Sequence, residues 1–177
     1  MNNIDRRTFI KQTGAFTGIT ILPFSIYGQN APSNKVVLAV AGVNSRGAWL
    51  AEYFSKIPNV DVAYICDVEE KAIANGIKSL AATGKEPTVI KDIRKLVTIK
   101  EIDAMAIGMP DHWHTPAAIL GVTNGKHVYV EKPCGHNPGE GELLAIASKK
   151  YKPLIQMGNE RRSYPTLQTA GQRVREG

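Results

Sequence analysis

The chain has 177 residues, of which 43% are hydrophobic and 21% are charged. This is enough apolar material for one well-packed domain and too little for two large ones. The formal net charge is +6, but lysines and arginines form no run interleaved with aromatic residues. The composition therefore argues against a nucleic-acid-binding protein and is compatible with an anionic small ligand.

Residues 1–32 resemble an export signal of the twin-arginine type. The paired residues Arg6 and Arg7 precede a modest apolar stretch at 15–27. Pro23 interrupts this stretch, which is too short to span a bilayer comfortably, so no stable membrane anchor is expected. We therefore expect export by the twin-arginine route to the periplasm, and the alternative is a disordered basic tail.

Beyond residue 33, apolar segments of strand length alternate with segments of helical periodicity. The predicted strands cover 35–42, 60–67, 87–92, 102–110, 127–133 and 153–158. The predicted helices cover 45–56, 68–84, 93–100, 115–125 and 138–150, and a final helical piece reaches 177. Such alternation is typical of an α/β protein with a doubly wound parallel sheet, and we assign this Rossmann-type domain to residues 33–160.

Two of the helices carry more specific expectations. The first places Leu50, Tyr53 and Phe54 on one apolar face. The fourth is predicted to begin with Thr115 as its N-cap and Pro116 as its first residue.

The turn after the first strand has the spacing of a dinucleotide-binding fingerprint. Gly42, Asn44 and Gly47 give a G-x-N-x-x-G version of this motif, with Ser45 and Arg46 before the last glycine. Such a turn lets backbone N–H groups and the positive end of a helix approach a pyrophosphate. Asn44 stands where the middle glycine is usual, which raises the question whether its side chain hinders this approach. The alternative is a tight strand-to-helix turn without a ligand.

Asp67 ends the second strand, twenty residues beyond Gly47. A carboxylate at this place accepts hydrogen bonds from both ribose hydroxyls of a dinucleotide. It also repels a 2′-phosphate, so NAD is favoured over NADP, although Arg46 weakens this preference. The alternative role for Asp67 is a capping box with Glu70 at the start of the next helix, and the two roles are compatible.

Glu131 and Lys132 fall at the carboxyl end of the fifth strand, directly before the breaker Pro133. In an open parallel sheet, ligands bind at this edge. The alternative is a solvent-exposed Glu–Lys pair of little energetic value.

The two cysteines, Cys66 and Cys134, are predicted not to form a disulfide. They fall at the ends of the second and fifth strands, about three strand spacings or 14 Å apart. This separation exceeds the reach of a disulfide bond, so two reduced thiols are expected.

The segments AGVNSRG, ICD, GMPDHWHTPAAI and YVEKP occur in this order, and together they resemble the nucleotide-binding half of the Gfo/Idh/MocA oxidoreductase family. The resemblance runs from about residue 35 to residue 177. It implies an NAD(P)-binding domain followed by a second α/β domain that forms the substrate pocket and much of the interface of a homo-oligomer. We expect residues 161–177 to lead into that second domain, and the domain itself to be missing from this chain.

The resemblance also implies roles for Glu131 and Lys132. Lys132 would lie beside the nicotinamide and the substrate hydroxyl as general acid or base, with its ammonium group partly desolvated. Glu131 would orient this lysine or contact the cofactor ribose.

Polar residues after the fourth and sixth strands would complete the site. By resemblance, Asp111, Trp113 and His114 form a wall of the cofactor pocket, with capping of the next helix as the alternative for the first two. Asn159 would face the substrate cleft, or belong to a solvated basic loop. His112 and His114 also lie two positions apart, but no carboxylate cluster accompanies them, so no metal site is predicted.

Three functions are compatible with this sequence. The first is an NAD-dependent oxidoreductase that moves hydride between the nicotinamide and a hydroxyl carbon of a sugar, polyol or glycoside. The second is an NAD-dependent glycosidase that oxidises a sugar transiently, eliminates the leaving group and restores the hydride. The third is a non-catalytic nucleotide-binding fragment. The isolated chain is expected to bind NAD weakly and to show no turnover, because it lacks a second sheet to orient the substrate.

Overall fold

The structure, a computed structural model, describes residues 35–159 and 162–177. The predicted signal peptide at residues 1–32 lies outside the described residues. The strands are β1 (Val36–Ala41), β2 (Val60–Cys66), β3 (Thr88–Ile90), β4 (Ala104–Ile107), β5 (His127–Val130) and β6 (Ile155–Met157). The helices are α1 (Arg46–Ser55), α2 (Glu70–Leu80), α3 (Ile93–Leu96), α4 (Asp111–Thr123), α5 (Pro138–Lys150) and α6 (Pro165–Glu176).

The strands form one sheet in the order β3-β2-β1-β4-β5-β6. Every neighbouring pair is parallel, and the register between the central strands pairs Ala41 with Cys66 on one side and with Ile107 on the other. This arrangement confirms the predicted doubly wound parallel sheet. The strand order reverses between β1 and β4, which places the carboxyl ends of these two strands beside the natural binding crevice of such a fold.

The core lies on both faces of the central strands. Ala39 and Ala41 of β1 pack into one hydrophobic cluster, whereas Leu38 and Val40 pack into the other. Successive side chains of a strand point to opposite faces, so a strand covered on both faces must be apolar throughout. The uninterrupted apolar run of β1 is therefore the sequence signature of this position.

The expectation that Tyr53 shares the buried face of α1 is wrong. The buried residues of α1 are Gly47, Leu50 and Ala51, whereas 56% of Tyr53 is exposed. Its ring stacks on that of Trp49 with centroids 5.0 Å apart. The two aromatic residues are four positions apart, so they form a pair on the outer face of the helix.

The predicted start of α4 is also wrong, because the first helical residue is Asp111, five residues before Pro116. The N–H of Trp113 donates to the carbonyl of Pro110 at 2.8 Å and closes the first turn. Thr115 does not cap the helix, because its hydroxyl donates to the carbonyl of Cys134 at 2.7 Å. Pro116 is tolerated inside the helix at the loss of one backbone hydrogen bond.

The cysteines occupy the positions that the sequence predicts. Cys66 is buried at the end of β2, Cys134 is half-buried after β5, and both are free. Strands β1 and β4 lie between them. None of the helices within residues 35–159 and 162–177 has the length and apolar character needed to cross a bilayer.

The two thiols are expected to differ strongly in reactivity. Burial raises the pKa of Cys66 to about 12, and the neighbouring Asp67 carboxylate acts in the same direction. Since the thiolate is the reactive form, a thiol reagent at neutral pH should modify Cys134 first and Cys66 only after unfolding. Mass spectrometry of the labelled folded and denatured protein checks this. Equal labelling rates in the folded protein would contradict the burial of Cys66, and fewer than two free thiols in unreduced, denatured protein would show a disulfide.

Candidate functional site

A cleft of about 1030 Å³ opens at the carboxyl ends of the central strands. Its lining residues include Gly42, Asn44, Ser45, Arg46, Asp67, Glu69, Lys91, Arg94, His112 and Trp113. They come from the loops and helix starts that follow β1, β2, β3 and β4. The cleft therefore occupies the point of strand-order reversal at which open parallel sheets bind ligands.

Three glycines allow the loops after β1 and β4 to touch. Gly42 has a positive φ of 79°, and a Cβ atom there would lie 2.7 Å from the Met109 backbone. A Cβ atom at Gly47 would overlap the Gly42 carbonyl oxygen, and one at Gly108 would lie 2.9 Å from the Cα atom of Gly47. The glycines are needed for backbone-to-backbone contact, which fixes the turn at the mouth of the cleft.

Asn44 is anchored by α2. The side-chain amide of Asn75 donates to the backbone carbonyl of Asn44 at 3.2 Å and to its Oδ1 at 3.1 Å. Among the described residues other than glycine, only Asn59 has a positive φ, so this turn does not need a glycine at its middle position. The replacement of the usual glycine by Asn44 is therefore compatible with the turn.

The N-terminus of α1 opens into the cleft and is suited to an anion. Ser45 is its N-cap residue but makes no side-chain capping hydrogen bond, and the first turn contains no acidic residue. The positive end of the helix dipole is thus not neutralised by its own side chains. A pyrophosphate fits this environment.

The carboxylate of Asp67 connects this turn to the end of β2. Its Oδ2 accepts the N–H of Val43 at 2.8 Å, and its Oδ1 accepts the N–H groups of Val68 at 2.8 Å and Glu69 at 3.1 Å. The alternative of a capping box with Glu70 is wrong, because Glu69 is the N-cap of α2 and makes no side-chain capping bond. Three of about four acceptor positions of Asp67 are occupied. One acceptor position remains, which is enough for one ribose hydroxyl, whereas the sequence led us to expect hydrogen bonds from both ribose hydroxyls.

Glu131 is a buried carboxylate, only 4% exposed, that joins the turn after β5 to the turn after β1. The Nε atom of Arg46 donates to its Oε1 at 2.8 Å, and the Nη2 atom lies 2.8 Å from the same oxygen in an ion pair. The hydroxyl of Tyr129 donates to the same oxygen at 3.1 Å, and the N–H of Lys132 donates to Oε2 at 3.3 Å. The guanidinium of Arg46 also lies 4.3 Å from the centre of the Trp49 ring. The turn after β1 (residues 42–47, the phosphate turn) and the turn after β5 (Glu131–Pro133, the E-K-P turn) are therefore in direct polar contact.

His114 is buried, with 2% exposed, and connects the loop after β4 to the turn after β5. Its Nδ1 lies 2.5 Å from the carbonyl oxygen of Pro133, and its Nε2 lies 2.8 Å from that of Met109. Both ring nitrogens are thus occupied by backbone. His114 holds the loops after β4 and β5 against each other and does not line the cleft.

Comparison with known proteins assigns the family. The model of an oxidoreductase family with an NAD-binding Rossmann fold, Gfo/Idh/MocA, matches residues 36–159. This chain belongs to the Gfo/Idh/MocA family. It carries the family's NAD-binding domain, and the cofactor is NAD.

Relatives and solved structures agree with this assignment. A glycosyl hydrolase family 109 protein of Saccharopolyspora erythraea is 32% identical over 70% of this chain and 28% of its own length. An alpha-N-acetylgalactosaminidase of Shewanella oneidensis is 28% identical over 90% of this chain and 40% of its own length. The scyllo-inositol dehydrogenase of Lactobacillus casei, crystallised with NAD(H) and scyllo-inositol, shares the fold with a TM-score of 0.70 at 24% identity, over 81% of this chain and 42% of its own. The chain thus spans at most about two fifths of these proteins.

The Gfo/Idh/MocA domain brings only part of the predicted site into the cleft itself. Of the predicted residues, Gly42, Asn44, Ser45, Arg46, Asp67 and Trp113 line it. The others lie outside its lining: Gly47 beneath the turn, Asp111 exposed at the start of α4, His114 and Glu131 buried, and Lys132 and Asn159 exposed at the ends of β5 and β6.

Sequence reasoning missed the part of the cleft formed after β3. Lys91, Asp92, Ile93 and Arg94 all line it. Their position directly after a predicted strand is the signal that could have identified them, because the carboxyl ends of parallel strands share one edge. Within the described residues, no group of three or more potential metal ligands occurs.

Proposed function

We propose that the protein transfers hydride between NAD and a hydroxyl-bearing carbon of a sugar, polyol or glycoside, with Lys132 as the acid/base group. The observation that carries this proposal is the contact of Arg46 with Glu131, which attaches the E-K-P turn to the edge of the cofactor cleft. Family membership supports the coarser statement, an NAD-binding oxidoreductase domain. Substrate class and the role of Lys132 are the proposed part.

The residues of the cleft fit the dinucleotide. The turn from Gly42 to Gly47 and the N-terminus of α1 would hold the pyrophosphate, and the open acceptor position of Asp67 would hold a ribose hydroxyl. Bound NAD supplies the hydride acceptor. Trp113, 40% exposed on the cleft wall, offers an apolar face to the cofactor.

Lys132 handles the proton of the reaction. Its side chain is exposed at the end of β5, from which it could reach a substrate hydroxyl. It would take the hydroxyl proton as the carbon is oxidised and return it in the reverse direction. The carboxylate of Glu131 is already engaged by Arg46 and Tyr129, so we assign it to orienting the lysine and not to the cofactor ribose.

A redox-neutral glycosidase is the second candidate, favoured by the relatives named glycosyl hydrolase family 109 protein and alpha-N-acetylgalactosaminidase. In such a reaction the sugar is oxidised by the same hydride transfer, the leaving group is eliminated, water adds in its place, and the hydride is then returned to the sugar. A nitrophenyl α-N-acetylgalactosaminide and a panel of free sugars and polyols separate the two. Nitrophenol release without net NADH selects the glycosidase, and net NADH with a free sugar or polyol selects the dehydrogenase. If the complete protein binds NADH but gives neither signal, a non-catalytic nucleotide-binding role is selected.

Asp67 should decide between NAD and NADP. We expect the wild-type protein to bind NADH more tightly than NADPH, because the carboxylate repels a 2′-phosphate. Asp67→Asn should weaken NADH binding and narrow this preference, since an amide carries no charge and has one acceptor oxygen in place of two. Fluorescence titration with both reduced cofactors measures the ratio. Tighter binding of NADPH by the wild type would remove Asp67 from this role.

We also propose export by the twin-arginine route, on the basis of the sequence of residues 1–32. The double variant Arg6→Lys, Arg7→Lys should remain in the cytoplasm, because the paired arginines are the recognised element. Cell fractionation and immunoblotting measure the distribution. Normal appearance of the variant in the periplasm would show that these residues are not an export signal.

A further inference from the structure

Tyr129 lies beside the proposed catalytic turn but has no part in the function described so far. It is a residue of β5, and its hydroxyl donates to Oε1 of Glu131 at 3.1 Å. Its ring meets that of Phe54 edge to face, with centroids 5.6 Å apart. The ring is thus held by α1, and the hydroxyl is directed at the carboxylate next to Lys132.

Gly158 leaves the space for this hydroxyl. A Cβ atom at Gly158 would overlap the Tyr129 hydroxyl and would lie 3.3 Å from Oε1 of Glu131. The glycine is itself fixed, because its N–H donates to the carbonyl of Val130 at 2.8 Å. Three neighbouring elements, α1, β5 and the end of β6, therefore converge on one carboxylate.

The hydrogen bond has a defined direction. Burial raises the pKa of the Tyr129 phenol, and the negative charge of Glu131 and the hydrogen bond to it raise it further. The phenol is therefore protonated at neutral pH and donates. Arg46 binds the same oxygen and supplies the compensating positive charge, which acts on the pKa of the phenol in the opposite direction. A buried carboxylate held by three N–H or O–H donors has little freedom to move.

Glu131 transmits this restraint to Lys132. The two residues are adjacent in the chain, and Oε2 of Glu131 accepts the Lys132 N–H at 3.3 Å. Once the carboxylate is fixed by Tyr129 and Arg46, the backbone at the start of Lys132 is fixed as well. The direction in which the lysine side chain leaves the strand follows from that backbone.

We propose that Tyr129 is a positioning residue that acts through Glu131 on Lys132, and that Gly158 is required because any side chain there would displace the Tyr129 hydroxyl. The inference rests on the proposed function in so far as Lys132 is the acid/base group.

The test observes Lys132 directly and needs no turnover. Lysine amines of the protein are dimethylated with ¹³C-formaldehyde, and the Lys132 resonance is identified by its loss in Lys132→Arg. Tyr129→Phe removes one hydroxyl and keeps the ring against Phe54, so the fold should be retained. The Lys132 resonance should shift in this variant and in Glu131→Gln. The matched control is Tyr53→Phe, which alters an exposed tyrosine on the outer face of α1 and should leave the resonance in place.

Gly158→Ala tests the same contact from β6 and should also displace the Lys132 resonance. If the resonance keeps its wild-type position in folded Tyr129→Phe or in folded Gly158→Ala, the proposal is overturned, even if the unfolding temperature falls, because Tyr129 would then be a structural residue only. Failure of the proposed function would be recognised by a different result, namely unchanged turnover in Lys132→Ala. That result would not change the outcome of the resonance experiment.

Discussion

In the complete protein, Lys132→Ala is expected to lower turnover by a factor on the order of 10² to 10⁴, the usual contribution of a positioned acid/base group. The affinity for NAD should stay within about tenfold of the wild type, because Lys132 lies outside the lining of the cofactor cleft. A loss of kcat with an almost unchanged cofactor Kd is the pattern expected of a group that acts in the transition state. Steady-state kinetics of the active protein and NADH titration measure the two quantities.

The control for this experiment is Lys149→Ala, which removes an exposed lysine from the last turn of α5. It should leave both turnover and NAD affinity unchanged. Turnover of Lys132→Ala equal to that of Lys149→Ala would remove Lys132 from the chemistry.

Gly47→Ala should abolish NADH binding and lower the free energy of unfolding by about 3 kcal/mol or more, at the upper end of the effects of overpacking. A Cβ atom at this position would overlap the carbonyl oxygen of Gly42 and lie 2.7 Å from its carbonyl carbon. Both atoms belong to the backbone, so no side chain can rotate away to relieve the overlap. The turn must move, and the N-terminus of α1 moves with it.

Gly141→Ala is the matched control for the glycine experiment. Gly141 lies in α5, and a Cβ atom there meets nothing within 4 Å. Alanine is the better helix former, so this variant should be neutral or more stable by up to about 1 kcal/mol. Chemical denaturation and NADH titration of the two variants give the comparison. Wild-type stability and cofactor affinity in Gly47→Ala would show that the turn is not packed as described.

The fold was predictable because its signals are local. The apolar run of β1, the G-x-N-x-x-G turn and Asp67 each lie within one strand and the loop that follows it. Their order along the chain is enough to specify a parallel sheet whose loops share one edge. Within the helices, some details were missed, such as the outward position of Tyr53. Tyr53 and its neighbour Phe54 are both aromatic, so composition does not show which of the two faces the core.

The partners of the polar residues were not predictable, because they depend on contacts between distant segments. Arg46 and Glu131 are separated by 85 positions, and Val43 and Asp67 by 24. Nothing near Glu131 in the sequence indicates that its carboxylate is taken up by an arginine of the first turn. The structural role of buried His114 was missed for the same reason. Both of its partners are backbone carbonyls, which carry no sequence signature.

Hydrogen–deuterium exchange with and without NADH tests the central claim most directly, because it locates the cofactor on this chain. The claim is that NAD lies in the cleft at the ends of β1, β2 and β4. NADH should slow amide exchange in peptides that cover residues 42–47, 67–69 and 108–113. The exchange rates of peptides from α5 should not change. Binding of NADH with unaltered exchange in these three segments, or with protection confined to another part of the chain, would contradict the claim.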